Sequence, residues 1–459
     1  MQMTTWRKSA GWASSSADGL VVAAVLILTF ALHALSPVTT STDSAWSFHL
    51  AASILREGNL NLDEYRELMD LELDYRLRSV NGHIYYYYPA ATPLLVAPAV
   101  AAINTVYGLT RPTDFYTYLE THGPDERTAK LEKLLASGIV AVATAFMYLI
   151  GRISLGRWRS VGLALIIAFA TSMWSTSSRA LWQHGPSALL LLLALYLAVK
   201  FGARPWSLFA TGVALSFAYL VRPTNSLSFA FFGLYYLLNA PRRIWAYAAG
   251  ALVVLIPYFV ENLVTYANLF PPYSFQLFER LATPAAVGEA LAGTLFSPNR
   301  GLFIFTPVFA FSLYGAYRTI AEGGFRRSNL GIYLSGILLT HWIVTSLFED
   351  WGGAWSIGPR YFAEVIPFLT YFLIPVIDGP LLAKAAWRFI FLAVTAFSVM
   401  VQARGALSEY PFQWNGKPQA LVEAPERKWD WGDLQFLRGL CPADPLEGRA
   451  PACWFEVDK

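Results

Sequence analysis

The sequence predicts an all-α polytopic membrane protein: about eleven transmembrane helices, a large first outer loop containing interfacial helices, and a small outer C-terminal tail. Three observations predict it. Only 14% of the 459 residues are charged and 55% are hydrophobic, with a mean hydropathy of +0.41, whereas a soluble protein carries about 25% charged residues. Repeated apolar runs approach the ~20 residues that cross ~30 Å of hydrocarbon. Short basic links follow alternate runs, as the positive-inside bias requires. The net charge of +3 is too small to point to nucleic acid.

Taken in order, residues 1–19 read as a cytoplasmic tail, with Arg7 and Lys8 ahead of an uncleaved first span. Spans are expected at 20–37, 132–151, 160–177, 185–200, 206–222, 225–240, 245–262, 301–317, 329–347, 360–378 and 387–403. The basic links are Arg152, Arg157 and Arg159; Lys200 and Arg204; Arg242 and Arg243; Arg318, Arg326 and Arg327; and Lys384 and Arg388. With these inside alongside the N-terminus, the spans alternate and the C-terminus falls outside. Residues 89–109 are apolar enough to span, but a crossing there would put every later basic link outside. They read instead as interfacial or re-entrant helices within the first outer loop, 38–131. The transmembrane domain is then 20–403, and 404–459 is an outer tail or cap. Cys441 and Cys453 lie in that tail, as either a disulfide or two free thiols. No internal repeat is visible, against a transporter built from inverted repeats.

Long outer loops on such a base can form a cavity open to lipid on one side and to an acceptor on the other. Transfer of a sugar from a lipid phosphate needs a base for the acceptor. It also needs cations for the departing phosphate, best supplied by arginine forks, and aromatic and polar walls. Asp43, in Thr42-Asp43-Ser44 just beyond the first span, is the base candidate; the alternative is a helix N-cap. Arg300, Arg360 and Arg222 sit at outer boundaries and are the phosphate candidates, the alternative being arginines that snorkel to lipid headgroups. Gly301 and Gly358, beside the first two, would let backbone approach a ligand. Trp46, His49, Tyr87, Tyr88, His184, Trp351, Trp355 and Tyr361 are candidates to line the substrate. For the tyrosines the alternative is an interfacial aromatic belt, and for His184 a structural, hydrogen-bonded histidine. Glu349 and Asp350 read as a solvated loop end, the alternatives being a second acidic site or a metal-ligand pair. No ligand spacing links His49, His83 and His122, and no metal site is assigned. No Walker, GxGxxG or HExxH motif gives soluble nucleotide or zinc-protease chemistry a foothold.

Four stretches together carry a resemblance: Thr42-Asp43-Ser44 after the first span, Tyr86-Tyr87-Tyr88-Pro89-Ala90-Ala91-Thr92-Pro93, Ser297-Pro298-Asn299-Arg300-Gly301, and Trp351-Gly352-Gly353-Ala354-Trp355-Ser356-Ile357-Gly358-Pro359-Arg360. They resemble the GT-C superfamily of membrane glycosyltransferases, in the bacterial branch related to protein O-mannosyltransferases and lipid A aminoarabinose transferases. The resemblance covers about 20–400 and not the tail. It implies Asp43 as general base, an undecaprenyl- or other polyprenyl-phosphate sugar as donor, and inversion at the anomeric carbon. It gives Arg300 and Arg360 phosphate-binding roles. The chain departs from the branch at Ser44, where a second acidic residue is common, and at the tyrosines, where a lysine often precedes the Tyr-Pro motif.

The expected function is therefore sugar transfer from a polyprenyl phosphate to a lipid, glycan or protein acceptor, on the outer face of a bacterial inner membrane. Two alternatives remain: a glycolipid transporter or flippase, which needs no base, and a glycan ligase or polymerase using a pyrophosphate-linked donor. The lone Asp43 argues only weakly against an obligatory divalent ion, so the need for a metal stays open; the lipid-linked sugar is the donor substrate implied.

Overall fold

The computed structural model describes residues 16–279, 281 and 283–440; Cys441 and Cys453 lie outside them. The chain opens with α1 (Ser16–Leu35), α2 (Ser47–Arg56), the strands β1 (Leu77–Val80) and β2 (His83–Tyr86), α3 (Ala91–Thr110) and α4 (Phe115–Thr121). A run of longer helices follows: α5 (Glu126–Arg152), α6 (Arg157–Phe169), α7 (His184–Phe201), α8 (Pro205–Val221), α9 (Ser226–Asn239) and α10 (Ile244–Tyr266). Then come α11 (Pro272–Glu279), α12 (Pro284–Phe296), α13 (Leu302–Phe305), α14 (Ala310–Gly323), α15 (Leu330–Ser346), α16 (Ile366–Tyr371), α17 (Ile374–Ile377), α18 (Ala385–Leu407) and α19 (Tyr410–Gln413). Among the described residues six helices are long and apolar enough to cross a membrane: Ala17–Leu35, Ala91–Thr110, Glu126–Arg152, His184–Phe201, Pro241–Tyr266 and Ala385–Leu407. Shorter apolar helices accompany them.

Several expected spans are shorter or broken, each for a local reason. The 160–177 run stops at Phe169 and passes into a wide turn at Met173–Ser177. The 301–317 run breaks at Pro307, between α13 and α14. The 360–378 run splits into α16 and α17, each with a proline in its first turn; proline is tolerated there because no intrahelical N–H is needed. The 89–109 segment is one continuous helix, α3, with Pro98 inside it. The all-α expectation also missed the β1–β2 hairpin, paired Leu77 to Tyr86 and Val80 to His83. Its turn is Asn81-Gly82, with φ +53° and +87°, the turn chemistry that closes a two-residue hairpin.

Helix polarity gives the bundle two distinct ends. Asp18, at the start of α1, lies 3.2 Å from both Arg152 and Arg157 at the α5–α6 link. Arg159 pairs with Asp378 at 2.8 Å, Arg318 donates to the Pro375 carbonyl at 3.0 Å, and Arg243 donates to the Ala203 carbonyl at 2.9 Å. The basic links therefore gather at one end. At the other end lie the exit of α1, the start of α7, the α8–α9 turn and the exit of α15.

A large core joins α5–α10 with α14–α16. A second core belongs to the first outer loop and contains Trp46, Phe48, Tyr65, Ile84, Tyr86 and Phe115. A third joins Phe305 and Ile357 to Phe436 of the tail. The α8–α10 crossing is unusually close. A Cβ on Gly212 would sit on the Tyr247 carbonyl, and one on Gly250 would sit on the Phe209 carbonyl, so neither backbone can retreat. Gly250→Val is expected to destabilise the protein by about 1–3 kcal/mol through overpacking, read as a lower Tm in detergent.

Candidate functional site

At the end opposite the basic links the chain encloses a cavity of about 1100 Å³. Its first wall is the turn after α1. The N-cap of α2 is Trp46, without a side-chain capping bond, so Asp43 caps nothing. Its carboxylate instead accepts from Tyr75 Oη at 3.0 Å and lies 3.6 Å from Arg360 Nη1, with about a quarter of the side chain (27%) exposed. The turn is held from behind. Arg76 Nη1 donates to the Thr42 carbonyl at 3.2 Å, and Tyr86 Oη donates to the Asp43 carbonyl. Asp74 in turn accepts from Arg76 Nε at 2.7 Å and Trp46 Nε1 at 2.8 Å. Burial works against the Asp74 carboxylate, but the Arg76 and Trp46 hydrogen bonds outweigh it and hold its pKa below the usual carboxylate range.

The hairpin delivers the second wall. Tyr87 and Tyr88 leave β2 into the cavity and cluster with Tyr273, ring centroids 5.7 Å away in each case. Arg78 lies 4.5 Å over the Tyr87 ring. Opposite them stands Arg360, delivered by the Trp351–Arg360 loop. Gly353 has φ +77°, and a Cβ there would press on the Arg360 stem at 3.0 Å, so the loop needs glycine both for its backbone and for the arginine. The Arg360 guanidinium packs over Trp182 and Tyr361, at 5.3 and 5.6 Å.

Behind the third wall lies a buried carboxylate that sequence reasoning missed. Glu364 Oε1 is 2.6 Å from His184 Nδ1 and 3.0 Å from Arg222 Nε, and Oε2 is 3.8 Å from His341 Nε2. His341 is itself bonded to the Tyr361 carbonyl at 2.7 Å. The available signal was a carboxylate at the mouth of the apolar run from Val365, an expensive place for a charge without partners. Arg222 Nε makes its ion contact off the N–H line and has no hydrogen-bond partner. Trp182 Nε1, Gln183 Nε2 and Arg360 Nε are likewise buried without partners, and all four side chains line the cavity. Each unpaired buried donor costs about 1–3 kcal/mol, and an anion with several oxygens would satisfy them together.

The structure brings Asp43, Arg222, Arg360, Tyr87, Tyr88, His184, Trp355 and Tyr361 into one cavity, with Glu349 and Asp350 at its edge. Four expected residues are not among its lining. Trp46 and His49 belong to the outer-loop core, where Trp46 is spent on Asp74 and His49 is bonded to the His122 carbonyl at 2.9 Å. Trp351 packs beneath Lys428 of the tail, at 4.7 Å. Arg300 is 1% exposed and its guanidinium donates to Asn299 O, Gln435 Oε1, Ala354 O and Asn415 Oδ1 at 2.5–3.2 Å. The Ser297-Pro298-Asn299-Arg300 motif thus docks the tail: Ser297 donates to Lys428 O and Asn299 to Arg427 O. Gly301 and Gly358 also face protein, against Ser297 and Phe305, rather than the cavity. Arg300→Met is expected to lower stability by at least about 2 kcal/mol, seen as a reduced Tm. Among the described residues no group of three or more His, Cys, Asp or Glu is arranged to hold a metal ion.

No family model matches the sequence, and neither does any curated protein. Solved structures do resemble the fold. ArnT from Cupriavidus metallidurans bound to undecaprenyl phosphate superposes with a TM-score of 0.53 at 12% identity, over 87% of this chain and 70% of that one. Its apo form gives 0.52 at 13% identity, over 90% and 73%. The archaeal oligosaccharyltransferase AglB from Archaeoglobus fulgidus, in complex with an inhibitory peptide and a dolichol-phosphate, gives 0.51 at 11% identity. It aligns with 95% of this chain, which spans 62% of AglB's length. The chain shares the fold of these structures, the fold that the resemblance to the GT-C superfamily implies.

Proposed function

On this GT-C scaffold, we propose an inverting glycosyltransferase that moves a hexosyl or pentosyl group from a polyprenyl-phosphate donor to an acceptor. The reaction takes place on the outer face of a bacterial inner membrane. In this reading the domain 20–403 crosses the membrane about eleven times, with the N-terminus and the basic end of the bundle in the cytoplasm and the cavity outside. The tail, 404–459, caps the outer loops. The observation that carries the reading is the pairing of one carboxylate with an anion site: Asp43 stands 3.6 Å from Arg360, whose Nε is buried without a hydrogen-bond partner, as are Trp182 Nε1 and Gln183 Nε2 of the same cavity. The neighbours' bound undecaprenyl phosphate and dolichol-phosphate agree with it, because one phosphate headgroup would satisfy the unpaired donors of Arg360, Trp182 and Gln183.

In the proposed step the acceptor hydroxyl or amine forms its bond to the anomeric carbon while the bond from that carbon to the phosphate oxygen breaks. The proton passes to Asp43, and the electron pair leaves with the phosphate. Arg360 and Arg222 balance the charge that grows there, which is stabilisation gained in the transition state rather than the ground state. Tyr87, Tyr88, His184, Trp355 and Tyr361 wall the sugar. Donor exchange tests this against a ligase or polymerase. Purified protein is expected to turn over monophosphate-linked sugars and to ignore their pyrophosphate-linked counterparts; the opposite preference would sink the reading.

A further inference from the structure

A second buried carboxylate lies beneath the Asp43 turn and plays no part in the step above. Glu132, in the second turn of α5, is fully buried. Its Oε1 accepts from Ser41 Oγ at 2.8 Å, and its Oε2 accepts from Ser44 Oγ at 2.5 Å and from the Leu181 backbone N–H at 3.3 Å. Ser41 and Ser44 bracket Asp43 in the chain, and Leu181 directly precedes Trp182 and Gln183. One side chain therefore ties together the turn that carries the proposed base and the loop that carries the unpaired donors Trp182 Nε1 and Gln183 Nε2. No lysine or arginine forms an ion pair with it among the described residues, so its role there is to accept hydrogen bonds rather than to neutralise a cation. Neighbouring groups fix the same two segments to each other: Thr40 N–H donates to the Arg179 carbonyl at 3.3 Å, and Arg179 Nη1 donates to the carbonyls of Ser36 and Val38 at 3.2 and 3.4 Å. Arg179 and its contacts secure the stretch before Asp43, and Arg76 and Tyr86 hold the Thr42 and Asp43 carbonyls, whereas Glu132 grips the side chains on both flanks, Ser41 and Ser44.

We infer that Glu132 is a positioning residue, which sets the distance between Asp43 and the Trp182-Gln183 edge of the anion site by bonding the loops that bear them. The inference rests on the proposed function, in which that distance decides whether an acceptor held by Asp43 faces the anomeric carbon. A misplacement of about 1 Å at such a site costs about 100-fold in rate.

The test measures kcat, donor KM and Tm of purified Glu132→Ala and Glu132→Gln in the transfer assay. Glu132→Ala is expected to lose about 100-fold in kcat with donor KM changed less than about three-fold. Glu132→Gln keeps one oxygen for Ser44 and Leu181, and its amide donates to Ser41, whose hydroxyl can turn to accept. It is expected to recover at least about a third of wild-type kcat. Wild-type kcat in folded Glu132→Ala overturns the inference, and so does Glu132→Gln as inactive as Glu132→Ala, since that would make the charge, not the bonding, essential. Should Glu132→Ala not fold, the Ser41→Ala/Ser44→Ala double variant takes its place with the same expectation of lost kcat. Asp43→Asn in the same assay keeps the two readings apart. Full turnover there removes the base assignment and this inference with it. No turnover there, alongside wild-type kcat in Glu132→Ala, removes this inference alone.

Discussion

Asp43→Asn is expected to cut turnover by about 10²–10⁴-fold, the usual contribution of a general base, while donor affinity stays within about three-fold of wild type. The substitution is nearly isosteric. Asparagine Oδ1 can still accept from Tyr75, and the supports of the turn do not involve the carboxylate: Arg76 holds the Thr42 carbonyl and Tyr86 holds the Asp43 carbonyl. What disappears is the ability to take a proton. Loss of the Asp43 charge also frees Arg360, 3.6 Å away, for the phosphate, which works against any loss of donor binding. Radiolabelled sugar transfer and donor binding, measured on one preparation, separate the two effects. Comparable turnover in the variant rules Asp43 out as base.

Arg360→Ala should show a different signature, with donor binding weakened by about 100-fold and turnover falling along with it. Arg360 is largely buried, with 15% of its side chain exposed, and Asp43 is the carboxylate in ion-pair range. Truncating one side of a buried charge pair typically costs about 2–5 kcal/mol. Arg360→Lys restores a charge but not the planar fork that fits two phosphate oxygens, so it should recover only part of the affinity. Lysine also lacks the flat face that packs over Trp182 and Tyr361. Affinity unchanged in Arg360→Ala would move the headgroup elsewhere in the cavity and leave Arg222 as its cation.

The parts of the site that were legible in the sequence are those carried by short segments with strong local punctuation. Asp43 follows a span exit, and Arg360 ends a glycine- and proline-rich loop, so both announce themselves within a few residues. Arg222 stands at a helix end before a proline for the same reason. Arg300 shows the same punctuation yet lies outside the cavity lining, because the groups its guanidinium bonds are distant in the chain: Asn415 and Gln435 are 115 and 135 residues away. Local sequence cannot tell an arginine facing a ligand from one facing a tail. Trp46 and His49 lie outside the lining for a similar reason, since helical spacing near Asp43 says nothing of which face meets the outer-loop core. Glu132 and Glu364 were missed: each stands at the mouth of an apolar run, but their partners, Ser41 and Ser44 for one and Arg222 and His184 for the other, come from separate elements. The hairpin carries a local signal at Asn81-Gly82, where the turn chemistry lies. Of the expected spans, 225–240, 329–347 and 387–403 correspond to α9, α15 and α18, whereas those containing Pro307, Pro367 and Pro375 broke where proline removes a helical hydrogen bond.

The most direct test of the central claim is the product formed from a panel of labelled polyprenyl-phosphate sugars by the purified protein in proteoliposomes, with its anomeric configuration read by NMR. A glycosylated acceptor whose anomeric centre is inverted relative to the donor is the predicted result. A retained configuration, or no product from any donor by folded protein that binds them, would contradict it.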